Sequence, residues 1–145
     1  MLSTQSPKRS DECWTLLRRP ASAACIPSLG LVAEPLHRGD IWLADLGPAE
    51  DPRPCVLLSR DVAMSRRRRA IVAIITSNAH GTRVEVPVGP DDGLDHESVI
   101  DADDLVTLDT ELLIRRLGVL STTKLSVLAE ALRVALALPP FGADV

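Results

Sequence analysis

Three short apolar runs, each fenced by glycine or proline, constrain this chain more than any other feature. The first, Ile41 to Leu46, ends on Gly47-Pro48. The second, Cys55 to Leu58, is entered through Pro54 with Arg53 just outside it. The third, Ala70 to Ile75, delivers Thr76-Ser77-Asn78 at its end. Continuous apolar runs bounded in this way read as strands buried in a sheet rather than as amphipathic helices. If the second and third are antiparallel neighbours, the start of one lies beside the end of the other. Arg53 and Thr76 then meet at one rim of the sheet, a cation beside a hydroxyl.

The rest of the chain continues the pattern of strands and turns. Asp61 to Arg69 is polar and reads as a helical turn and a loop. Arg83 to Val88 alternates polar and apolar residues, and Pro87 marks it as an edge strand because proline cannot donate to a ladder. Pro90-Asp91-Asp92-Gly93 is a turn signal. Ser98 to Asp101 and Leu112 to Leu120 supply further short apolar pieces. The tail reads as a helix, capped by Ser121, Thr122 or Thr123, with Leu125, Leu128, Leu132 and Leu136 at helical spacing and Pro139-Pro140 as its stop. The expected fold is α+β: a small, partly open β-barrel with a C-terminal amphipathic helix.

At 145 residues the chain supports one domain with a sizeable core. No apolar stretch approaches the ~20 residues that span a bilayer. A net charge of −4 argues against a protein that coats nucleic acid indiscriminately, but leaves room for a local basic groove. The densest basic cluster, Arg66 to Arg69, reads as a solvated connector. Three cysteines, at positions 13, 25 and 55, fit neither a disulfide framework nor a zinc site, and point to the cytoplasm. Residues 1 to 36 are rich in Ser, Pro and Ala without a sustained period. They read as a weakly ordered extension or as sequence upstream of the true start. Arg18, Arg19 and Pro20 interrupt the place where a signal peptide would carry its apolar stretch.

Several residues invite chemistry. Taken alone, Arg53 is a surface arginine that could pair with Asp51, and Thr76 is an ordinary strand threonine. Histidines 37, 80 and 96 raise the possibility of general acid–base catalysis; His80 follows the third strand and could approach a groove there. Asp101, Asp103 and Asp104 suggest a metal site, but they lack the ligand count of one and read as a solvated strand end.

Taken in order, Arg38-Gly39-Asp40-Ile41-Trp42, Arg53-Pro54-Cys55-Val56, Ile75-Thr76-Ser77-Asn78 and Arg116-Leu117-Gly118 resemble the MazF/PemK family of toxin endoribonucleases over roughly residues 38 to 138. The resemblance implies an SH3-related, CcdB/PemK-type barrel over residues 37–145, usually homodimeric. It implies catalytic roles for Arg53 and Thr76, with RNA contacts from Ser77, Asn78, His80 and Arg83. It also implies metal-independent cleavage of single-stranded RNA by 2′-hydroxyl attack, with no cofactor, inhibiting translation and growth, and a MazE-like antitoxin as partner. One departure stands out: the loop from Gly47 to Pro52 is shorter than is usual in the family, and Glu50 and Asp51 make it acidic. The alternative is a non-catalytic module, either gyrase-poisoning in the manner of CcdB or sequestering an antitoxin.

Overall fold

The computed structural model describes residues 34–140 and residue 142. Cys13, Cys25 and most of the proposed N-terminal extension lie outside them. Six strands form one sheet: β1 (Asp40–Ala44), β2 (Arg53–Leu57), β3 (Arg69–Thr76), β4 (Glu85–Val88), β5 (Ser98–Asp109) and β6 (Leu113–Val119). Their spatial order is β4-β5-β3-β2-β1-β6, and every neighbouring pair is antiparallel. Among the described residues two helices pack on it, α1 (Asp61–Arg67) and α2 (Thr122–Ala135). As Pro87 implied, β4 is an edge strand.

Alternation along the strands sorts the apolar residues onto two faces. Ile41, Val56, Ala73, Ile75 and Ile100 build one core cluster, which α2 closes with Leu128 and Ala131. Trp42, Cys55, Leu57, Val72 and Ile74 build the other, which α1 closes with Met64. Both faces are covered, which is why these strands read as unbroken apolar runs. A fully buried side chain such as Ile41 or Leu128 stabilises the fold by about 1.5–3 kcal/mol. Burial also pushes the Cys55 thiol up to about 12, so it behaves as a small hydrophobe.

Two expectations need correction. Asp101, Asp103 and Asp104 do not form a strand end; they lie inside β5, the longest strand, which the sequence presented only as short pieces. The register explains this. Ala73 pairs with Leu105 but Ile75 pairs with Ile100, so the residues between are bulged out. Asp101 accepts the backbone N–H of Asp103 at 2.9 Å within that bulge. A bulge breaks the period that reveals a strand. The tail helix, for its part, ends at Ala135 rather than at the prolines. Ser121 caps it by accepting from Lys124 N–H at 3.2 Å. Ala137 turns left-handed at φ 52°, and Leu138 N–H returns to the Arg133 carbonyl. Leu136 therefore leaves the apolar stripe and is 52% exposed.

The sheet is not closed by hydrogen bonds, but its two edges approach each other. The 3-10 turn Pro90–Asp92 follows β4 and packs on β6. A Cβ on Gly93 would lie 2.1 Å from the Leu117 carbonyl oxygen, and one on Gly118 would lie 1.9 Å from that of Asp92. Only glycine permits such a contact between two backbones. The result is a partly open barrel.

Candidate active site

The β2–β3 register pairs Cys55 with Ile74. Carried on to the strand ends, it sets Arg53 opposite Thr76, the juxtaposition that the order of the runs implied. Both residues line a cleft of about 420 Å³ at this rim, together with Ser77 and Asn78. Its inner surface is apolar, from Leu43, Pro54 and Ile75, and its far side is formed by Gly93 to His96 and by Arg115 and Leu117.

Local structure prepares the hydroxyl. Thr76 Oγ1 accepts the backbone N–H of Asn78 at 3.2 Å, which leaves the hydroxyl proton free to donate outward. Arg53 is exposed and, among the described residues, has no ion-pair partner; the pairing with Asp51 considered above is not formed. Arg115 is likewise unpaired. Two guanidinium groups without an ion-pair partner among the described residues and a threonine hydroxyl in one cleft have the chemistry to engage phosphate oxygens, because each guanidinium presents a charged, planar fork that matches them.

His80 and Arg83 stand elsewhere. They lie in the loop between β3 and β4 and do not line this cleft. The Glu85 carboxylate draws the backbone N–H groups of His80, Gly81 and Thr82 onto itself at 2.7–3.1 Å, closing that loop over the start of β4. Those bonds hold the Glu85 carboxyl below its ordinary value, the His80 N–H contributing most. His96 and Arg115 do line the cleft and were not singled out from the sequence as contacts there. Arg115 arrives through the pairing of β6 with β1, opposite Leu43, between strands far apart in the chain. No local signal carries that information.

A second cavity of about 390 Å³ shares Arg53 but is acidic on balance, with Asp45, Glu50, Asp104 and Asp109 on its walls against Arg53 and Arg69, and Arg69 is paired with Asp109. Glu50 brings the acidic character of the short loop to within this cavity, which suits an anionic polymer far less than the first. Among the described residues no three His, Cys, Asp or Glu side chains gather as a metal-binding group, and no helix is long and apolar enough to cross a membrane.

The arrangement defines a small antiparallel barrel with a cationic, hydroxyl-bearing cleft at one sheet rim, the kind of site that handles a phosphodiester. Residues 37–136 match the model of the PemK-like, MazF-like toxins of type II toxin–antitoxin systems, and the chain belongs to this family. It is 35% identical over 102 residues to "Probable endoribonuclease MazF5" of Mycobacterium tuberculosis, covering 68% of this chain and 90% of that protein. The solved structure of "Mycobacterium tuberculosis toxin MazF-mt6" superposes with a TM-score of 0.65 at 33% identity, covering 69% of this chain and 98% of that one. A mycobacterial "Endoribonuclease in complex with its cognate antitoxin" gives the same TM-score at 25% identity, covering 72% and 97%. These likenesses favour the endoribonuclease reading over the gyrase-poisoning or purely sequestering one.

Proposed function

We propose that this protein is the toxin of a type II toxin–antitoxin pair and cleaves single-stranded RNA in the cleft of Arg53 and Thr76. The observation that carries this reading is their juxtaposition across the β2–β3 register at the rim of a cleft in which, among the described residues, Arg53 forms no ion pair. The scissile phosphate sits between them. Thr76 donates its hydroxyl proton to a non-bridging oxygen, and Ser77 and Asn78 offer further contacts. The neighbouring 2′-hydroxyl attacks phosphorus, the bond to the 5′-oxygen breaks, and the proton that the 2′-hydroxyl gives up to water is made good by water at the departing 5′-oxygen. Negative charge grows on the phosphorane, and the Arg53 guanidinium neutralises it. A guanidinium is a permanent cation with no acceptor, so charge stabilisation rather than proton transfer is the part of this arginine. A single strand suits the cleft because its base edges are open to reading, whereas an A-form duplex hides its major groove.

The reading extends to a cytoplasmic homodimer that needs no cofactor and is held in check by a MazE-like antitoxin. The first test is incubation of the purified full chain with a long single-stranded RNA, followed by sequencing of the new 5′ ends. Cuts at a short recurring motif support the reading. Intact RNA, with supercoiled DNA trapped by gyrase instead, would overturn it. Sedimentation at micromolar concentration tests the dimer, and a monomer would count against it.

A further inference from the structure

Lys124 occupies a position that helix chemistry disfavours. It is the third residue of α2, where a glutamate would complete a capping box with Ser121, and no acidic residue stands in that first turn. A cation there faces the positive end of the helix dipole. Its reason for being there lies across the fold. Lys124 Nζ meets Asp92 Oδ2 at 2.5 Å, and the Asp92 side chain is only 5% exposed. The same carboxylate oxygen accepts the backbone N–H of Gly89 at 3.0 Å. Asp92 ends the 3-10 turn, and the next residues, Gly93 to His96, form the far side of the cleft. The backbone contact between Gly93 and Leu117 locks that turn against β6, which brings Arg115 and Leu117 to the same cleft.

We infer that Lys124 and Asp92 are positioning residues: their partly buried ion pair ties the start of α2 to the segment 93–98 and so fixes the wall of the RNA cleft that faces Arg53 and Thr76. This rests on the nuclease reading above. Without the pair, that side of the cleft keeps β6, the Leu94 N–H bond to the Gly89 carbonyl and the pairing of Ser98 with Val88 but loses its tie to α2, and RNA is held out of register with the catalytic rim. Misplacement of this kind lowers turnover although no reacting group is changed.

The test compares the full-length wild type with Lys124→Met, Lys124→Arg and the double variant Asp92→Asn/Lys124→Met. The double variant avoids leaving a lone buried charge, which by itself could unfold the chain. Amide hydrogen exchange and cleavage of one RNA oligonucleotide are both measured well below the melting temperature. The expected result in Lys124→Met and in the double variant is exchange on the order of tenfold faster at residues 93–98 but not in β3. With it, kcat/KM falls by about tenfold to a hundredfold, and Lys124→Arg restores both. Unchanged cleavage in the two charge-removing variants overturns the inference. So does faster exchange throughout the sheet, which would make the pair a matter of general stability. If the wild type does not cleave RNA, the nuclease reading falls, and exchange alone judges the tether: equal rates at 93–98 in all variants overturn it.

Discussion

The Arg116 guanidinium reaches the Asp40 carboxylate at 3.1 Å, on a side chain only 2% exposed, and so ties the last strand of the sheet to the first. Asp40 also accepts the backbone N–H of His37 at 3.0 Å. The Arg-Gly-Asp segment that leads into β1 with Asp40 as its first residue and the Arg-Leu-Gly segment in β6, far apart in the chain, are thus two halves of one contact. Removing Arg116 strands a buried carboxylate. Arg116→Met is expected to destabilise the fold by about 2 kcal/mol, below the value for a fully buried pair because Arg116 is itself partly solvated. Urea denaturation measures this, and an unchanged midpoint would show that water serves Asp40 as well as the guanidinium does.

Loss of the charge at the cleft should be felt in chemistry and not in stability. Arg53→Ala is expected to slow RNA cleavage by on the order of 10² to 10³, the usual scale for one partner of a developing charge. Thr76→Ala should cost about tenfold to a hundredfold, since only one hydrogen bond is lost. Neither change opens a cavity in the core. Thermal melts of both variants should overlay the wild type, and full activity in Arg53→Ala would rule out the mechanism.

Cleavage should persist in excess EDTA. The acidic residues of β5 are spread along a bulge, and one of them, Asp101, is engaged with the backbone of Asp103. Activity abolished by chelator and restored by Mg²⁺ would return Asp101, Asp103 and Asp104 to candidacy as ligands.

Gly93 should tolerate no side chain. Its φ of +98° disfavours any L residue, and a Cβ would meet the Leu117 carbonyl at 2.1 Å. Overpacking against backbone and the left-handed conformation together predict a loss of about 3 kcal/mol or more for Gly93→Ala. Chemical denaturation provides the check. A loss below ~1 kcal/mol would mean that the turn and β6 separate easily.

One surface pair should respond to pH on both sides. His37 Nδ1 lies 2.7 Å from Asp61 Oδ2. The hydrogen bond to Asp61 raises the His37 pKa above 6.5, and the bond to His37, then that from the Arg38 N–H, lowers that of Asp61 below 3.8. The histidine's contribution is present at low pH and is lost as pH rises through its raised midpoint. The carboxylate's is present above its ordinary value and is lost as pH falls through the lowered one. The pair is therefore intact between those two midpoints. An NMR titration should show the His37 midpoint returning toward 6.5 in Asp61→Asn, and no movement would refute the contact.

The sequence alone determined the parts of this protein that depend on neighbours in the chain. Apolar runs doubly covered by core announced β1, β2 and β3; proline placed β4 at an edge; serine and a leucine stripe marked α2. The order of β2 and β3 was enough to bring Arg53 to Thr76, because in an antiparallel pair of consecutive strands the start of the first lies beside the end of the second. Tertiary structure decided what depends on distant pairing. The bulge that keeps β5 one strand exists only against β3, so its acidic residues looked like an end. Arg115 entered the cleft through a β1–β6 pairing that no periodicity encodes. His96 became part of the cleft wall because Gly93 and Gly118 let two backbones touch, a contact whose physical basis is the absence of a side chain.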